Sequence, residues 1–207
     1  MEIIGALSPG VRSIALLPAA FHPPTRAHEA LLRAALGRCQ AAIAVLPRAF
    51  PHKAYGDVGL DARLELLRPL VGGAIAAAVS EGGLFLDMAR EVRHIVPGVE
   101  VCMLCGRDAA ERIVNWPYKG QPAMAEQLRE YRLLVAARQG EFAAPPHLAH
   151  GIEPLALSGD FDEVSSTQVR QHMRDGKPWE HLVPEASLEA VRRLYSPLLV
   201  SRNARSL

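Results

Sequence analysis

"LLPAAFHPPTRAHEALLRAAL", residues 16–36, runs from an aliphatic stretch through a rigid turn with three prolines and two histidines into an amphipathic segment. The aliphatic start, "SIALL" at residues 13–17, has the length of a strand, and Ala27, Ala30, Leu31, Ala34 and Ala35 recur at the spacing of one helix face. Thr25 reads as the N-cap of a helix over residues 26–38. That places His28 three positions in, beside first-turn N–H groups that have no partner within the helix. A helix start of this kind attracts phosphate.

Further aliphatic runs follow at residues 41–46 ("AAIAVL"), 99–105 ("VEVCMLC"), 132–137 ("RLLVAA") and 153–157 ("EPLAL"), with helical patterns between them. They are continuous rather than alternating, as strands covered on both faces are. The expected fold is therefore α/β, a Rossmann-like, doubly wound parallel sheet with a helical C-terminal segment. One domain is expected over residues 1–207, with its core at about 13–196, because no internal repeat or linker divides the chain. The Pro-, Gly- and His-rich stretch at residues 139–151 reads as one exposed connection.

About half the residues are apolar, and the formal net charge is only +1. This balance offers no general attraction to duplex nucleic acid or an anionic membrane, so phosphate-binding charge must be local. No secretory signal is recognisable, and the longest apolar region, around residues 71–79, is too short to span a bilayer, so a cytoplasmic protein is expected. A homo-oligomer is compatible with the sequence. Of the three cysteines, Cys39 stands alone while Cys102 and Cys105 form C-x-x-C inside an apolar run. A zinc site needs a second ligand pair and a redox pair normally opens a helix, so these read as small buried hydrophobes. His147 and His150 lack carboxylate or cysteine companions, and no metal site is assigned.

A second helix start lies in "VSSTQVRQHMRDGKP": Ser165 and Gln168 form a capping-box pattern, and Gly176 with Pro178 marks the stop. Ser165, Ser166 and Thr167 supply hydroxyls and N–H groups, with Arg170 one turn along. Two such starts could clamp one polyphosphate. Beyond them, Pro184 is placed to open a last helix, "PEASLEAVRRLY".

"AFHPPTRAH" resembles the [HT]-x-G-H signature of the nucleotidyltransferase superfamily, and "VSSTQVR" resembles its I-S-S-T-x-I-R signature. The C-terminal stretch from Val164 to Tyr195 is most similar to bacterial nicotinate-mononucleotide adenylyltransferases. "PHK" at residues 51–53, "GRD" at 106–108, "NW" at 115–116 and "LLVAAR" ending at Arg138 follow in the family's order. The resemblance implies transfer of AMP from ATP to nicotinate mononucleotide, giving nicotinate adenine dinucleotide and pyrophosphate, with Mg²⁺ arriving on ATP. It implies that His28, assisted by Thr25, holds the α-phosphate in the transition state, while Ser165, Ser166, Thr167 and Arg170 hold the β and γ phosphates. Ala19, Ala20 and Phe21 would line the phosphate turn, and Lys53 would approach the phosphates and the acceptor. Gly106 and Asp108 would contact a ribose, Arg138 would lie beside the adenine, and Trp116 would stack on the pyridine ring.

The first signature departs from the family's G-G-T-F-D-P: Pro18 and Ala19 replace residues that let the backbone approach phosphate, and His22 replaces the acidic residue. His22 reads equally as a turn residue or a ligand. The family's S-Y-T is also missing around residues 83–85. The sequence therefore supports three alternatives to nicotinate mononucleotide adenylylation. One is another phosphorylated acceptor, such as nicotinamide mononucleotide or phosphopantetheine. Another is a nucleotide-binding homologue without turnover. The weakest is a metal hydrolase built on His22 and His28, which has no nearby carboxylate ligand.

Overall fold

Runs of Ala, Ile, Leu and Val offer both faces of a strand to apolar neighbours, and such strands stack side by side in the middle of the molecule. In the computed structural model, which describes residues 1–49, 58–137 and 140–200 (backbone only for 198–200), they form a seven-stranded sheet. In chain order the elements are β1 (Glu2–Ile4), β2 (Ser13–Pro18), α1 (Arg26–Ala35), β3 (Ala41–Pro47), α2 (Leu60–Leu67), β4 (Ile75–Ser80) and α3 (Phe85–Ile95). They continue with β5 (Glu100–Gly106), α4 (Arg107–Val114), α5 (Met124–Gln127), β6 (Arg132–Ala136), β7 (Ile152–Leu155), α6 (Ser166–Asp175) and α7 (Leu188–Val200).

The strand order is β1-β4-β3-β2-β5-β6-β7, parallel throughout except for β1, which runs antiparallel to β4. The chain winds outward from β2 through β3 to β4, then crosses back and winds the other way from β5 to β7. The doubly wound expectation is met. The edge strand β7 tolerates Pro154, which a central strand could not, because its missing N–H can face away from the sheet.

Successive strand residues face opposite ways, and two apolar layers result. On one face Ala15, Leu17, Ala44 and Leu46 pack against Leu31, Leu32 and Ala35 of α1. On the other, Ile14, Leu16, Ile43 and Met103 pack against Leu86, Ala89 and Val92 of α3. A third cluster, away from the sheet, joins Leu66 of α2, Val169 and Met173 of α6, Trp179, and Val191 and Tyr195 of α7.

Several boundaries differ from expectation. The first helix ends at Ala35 rather than residue 38, because Leu36 and Gly37 donate to carbonyls three residues back and tighten the last turn. Pro184 precedes a single 3-10 turn, Glu185–Ser187, and the last helix begins only at Leu188. The apolar region near residues 71–79 contains an additional strand, β4, and β1 was also not foreseen. No helix among the described residues is long and apolar enough to cross a membrane.

The cysteines group differently from C-x-x-C. Three residues apart on β5, Cys102 and Cys105 belong to opposite faces of the sheet, Cys105 buried in the α3-side layer. It is Cys39 that meets Cys102, its thiol hydrogen bonded to the Cys102 sulfur.

Candidate active site

The winding reverses between β2 and β5, and in open α/β sheets ligands bind outside the carboxyl ends of the strands at that point. The turn after β2 (residues 19–25) and the Gly106 end of β5 therefore flank the crevice. Gly106 caps α4 with extended backbone, and Asp108 is exposed in that helix's first turn. Lys53 and Arg138 lie outside the described residues.

Thr25 caps α1 and is fully buried. Its backbone N–H donates to His28 Nδ1 at 3.0 Å, and its Oγ1 lies 2.8 Å from the same nitrogen. A backbone amide can only donate, so Nδ1 must carry the lone pair, and the neutral ring keeps its proton on Nε2. The half-buried His28 is thereby an oriented donor at a helix start. Thr25 is fully buried, and both its amide and its hydroxyl meet His28. Phe21 supports the imidazole from one side, with ring centroids 4.9 Å apart.

In the turn itself, the Ala19 N–H donates to the Val45 carbonyl at 3.2 Å and continues the sheet, whereas the amides of Ala20 and Phe21 donate to no protein group among the described residues. Phe21 has φ of 44°, the left-handed conformation that glycine would adopt freely. For a bulky residue this costs roughly 1 to 3 kcal/mol and persists only where the surroundings enforce it. The surroundings are specific. The Ala20 carbonyl accepts from Arg63 Nη1 at 3.0 Å, the His22 carbonyl from Arg170 Nη1, and the Pro23 carbonyl from Ser166 Oγ at 2.7 Å. The His22 Nδ1 is hydrogen bonded to the Tyr195 hydroxyl.

These bonds place the start of α6 directly against the turn before α1, so the two helix starts identified in the sequence do meet. They also reassign individual groups. The Ser165 hydroxyl accepts the Gln168 N–H at 3.1 Å as the N-cap, and the Ser166 hydroxyl is taken by Pro23, leaving the amides at the start of α6 and the exposed Thr167 to face an anion. Arg170 also donates to the Ser166 carbonyl at 3.1 Å and to Thr167 Oγ1 at 3.4 Å. Burial lowers its pKa, yet a guanidinium stays charged, and its five donors exceed these bonds. Trp116 is half-buried and lies two residues beyond α4, an eight-residue helix about 12 Å long that follows Gly106.

Two participants were not singled out from the sequence. Arg63 is 2% exposed and Tyr195 1% exposed, the one on α2 and the other on α7. Arg63 had a legible signal: it shares the helical stripe of Leu66, Leu67 and Leu70, where a guanidinium needs a buried partner. Tyr195 carried none, since a tyrosine among apolar residues looks like ordinary core.

No family model matches the chain. Among curated proteins it is 29% identical over 191 residues to "Probable nicotinate-nucleotide adenylyltransferase" of Gloeobacter violaceus, spanning 84% of this chain and 90% of that one. The protein of the same name from Chlorobaculum tepidum is 28% identical over 199 residues, spanning 88% and 98%. Among solved structures, the nicotinic acid mononucleotide adenylyltransferase of Plasmodium falciparum complexed with NaAD shares the fold with a TM-score of 0.68 at 14% identity, covering 89% of this chain and 96% of that one. The same Plasmodium falciparum enzyme complexed with APC superposes with a TM-score of 0.65 at 14% identity, covering 88% and 96%. Over more than four fifths of its length the chain is similar in sequence to these proteins named as probable nicotinate-nucleotide adenylyltransferases, and it has the same fold as the solved Plasmodium falciparum enzyme.

Proposed function

We propose that the protein transfers AMP from MgATP to nicotinate mononucleotide. The acceptor's phosphate oxygen forms a bond to the α-phosphorus, the α–β bridging bond breaks, and nicotinate adenine dinucleotide and pyrophosphate leave. The observation that carries this reading is the joining of two helix starts through one turn, with the His28 donor fixed by the Thr25 amide.

Phosphoryl transfer of this kind needs in-line alignment and donors aimed at the charge that develops on the transferring group. His28 Nε2–H is such a donor for a non-bridging oxygen of the α-phosphate, and the amides of Ala20 and Phe21, in the turn before α1, are further donors for it. The start of α6, with Thr167 and Arg170, receives the β and γ phosphates and stabilises pyrophosphate as it departs. Gly106 and Asp108, across the crevice, serve the ribose, and Trp116 the pyridine ring. Mg²⁺ enters as part of the substrate. Among the described residues no group of three His, Cys, Asp or Glu side chains could hold a metal ion of its own.

The test is purified protein given MgATP with nicotinate mononucleotide, nicotinamide mononucleotide or phosphopantetheine in parallel, reading pyrophosphate and the adenylylated product. Turnover fastest with nicotinate mononucleotide is expected. ATP binding without pyrophosphate release from any acceptor refutes the proposal.

A further inference from the structure

The turn before α1 lacks the glycines that would let it adopt its shape unaided, and it holds Phe21 in a left-handed conformation. Two buried side chains from outside the β2–α1 unit reach the residues on either side of Phe21. Arg63 donates through Nη1 to the Ala20 carbonyl and is itself anchored by Nε on the Val58 carbonyl at 2.7 Å. The Tyr195 hydroxyl is hydrogen bonded to the His22 ring, whose centroid lies 5.4 Å from that of Tyr195. Burial pushes the Tyr195 phenol up, while the nearby Arg63 and Arg170 guanidinium groups act against that rise. Arg63 and Tyr195 belong to elements packed in the third apolar cluster, which is built from α2, α6 and α7 rather than from the sheet.

We infer that Arg63 and Tyr195 are positioning residues: they grip Ala20 and His22 so that Phe21 is held with its amide turned toward the α-phosphate site, replacing from outside the freedom that glycine would give from within. The role in turnover rests on the adenylyltransferase reading; the grip on the turn does not. His22, which stands where the family has an acidic residue, serves as the handle for Tyr195. Neither residue touches substrate, so their loss misdirects amides and His28 while leaving the polyphosphate contacts of α6 in place.

The experiment compares wild type with Tyr195→Phe, Arg63→Met, Arg63→Lys, His22→Ala and the His22→Ala/Tyr195→Phe double variant. Tyr195→Phe keeps the ring in the core and removes only the hydroxyl. Displacement of catalytic groups by a fraction of an ångström to 1 Å can cost up to about a hundredfold in rate. Tyr195→Phe is expected to lower kcat roughly tenfold with the KM for ATP within about twofold, and the double variant to be no slower than the slower single, as for two ends of one contact. Arg63→Lys, which keeps one donor, should recover part of the rate lost in Arg63→Met. The backbone amide NMR shifts of Ala20, Phe21 and His22 should move in Tyr195→Phe and Arg63→Met while those of the strands stay in place, a readout that needs no turnover. Absence of turnover in wild type would sink the functional reading but leave the shifts to judge the grip. Unchanged shifts over the turn, or an unaltered kcat with only a lower Tm, would overturn the inference.

Discussion

Replacing His28 by Ala isolates the donor on which the proposed chemistry depends. Nδ1 is occupied by the Thr25 amide at 3.0 Å, so the ring carries its proton on Nε2, and the substitution removes one preorganised donor. Loss of one such donor typically lowers turnover by about 10² to 10³. The same side chain closes the capping arrangement with Thr25, so stability should fall by about 1 kcal/mol, or roughly 2 to 4 °C in Tm for a domain of this size. The fold survives that change. Because the donor works on charge that appears only in the transition state, ATP affinity measured by calorimetry should move by no more than about twofold. Thr25→Val is the companion: it deletes the hydroxyl 2.8 Å from Nδ1 but keeps the backbone amide. One neutral hydrogen bond is worth about 0.5 to 1.5 kcal/mol, so kcat should fall roughly threefold to tenfold. If His28→Ala weakened ATP binding as much as it slowed pyrophosphate release, or if Thr25→Val were the more damaging, the assignment of His28 as an oriented transition-state donor would be wrong.

Arg170→Ala should weaken ATP binding by roughly tenfold or more, as expected for one charge-assisted phosphate contact, and should also lower kcat because the His22 carbonyl loses its partner; calorimetry showing wild-type affinity would displace Arg170 from the phosphate site. Restoring glycine at Pro18 and Ala19 should leave the rate within about twofold and lower stability by about 0.5 to 1 kcal/mol per position, since the Ala19 amide already serves the sheet. A tenfold gain in pyrophosphate release would show that those positions, not Phe21, set the turn. Among the thiols, Cys102 is held below its usual pKa by the hydrogen bond from Cys39, whereas burial pushes Cys105 up to about 12. At pH 8 the thiolate fraction is thus greater at Cys102, and iodoacetamide followed by peptide mass spectrometry should find Cys102 modified first and Cys105 only after unfolding.

Much of this was legible because buried parallel strands carry their pattern locally. Residues 13–17, 41–46 and 132–137 read as strands from composition alone, and their order with intervening helices implied the winding. The β4 strand hid in plain view: its alanines, Ala76 to Ala78, are too small to look like a core, although all three are buried against neighbours on both sides. Helix ends were less legible, since the early stop after Ala35 depends on which carbonyls the following amides choose. The same holds at the site. Thr25, His28, Ser165 and Arg170 were visible because caps and cationic helix starts are patterns of spacing. The contacts that shape the turn span 43 residues from Ala20 to Arg63 and 173 from His22 to Tyr195, and no short-range pattern encodes them.

That separation bears on how a turn without glycine can hold a left-handed residue. Glycine makes a left-handed turn cheap by removing the Cβ penalty, and the backbone then needs few external contacts. Here the penalty is present at Phe21, and it is offset in two ways. The Phe21 ring is 1% exposed, packed in the α1-side layer and against His28, so the strained residue contributes a large apolar side chain that glycine lacks. The flanking carbonyls and the His22 ring are held by Arg63, Ser166, Arg170 and Tyr195, all carried by elements outside the β2–α1 unit. The geometry of the turn is therefore a property of how α2, α6 and α7 pack together and against it, not of the turn's own sequence. A loosening of that third cluster would degrade the turn while the sheet stayed intact, because regions held by separate sets of contacts open separately. A signature worn at the level of its letters is in this way compatible with a site whose donors remain in register.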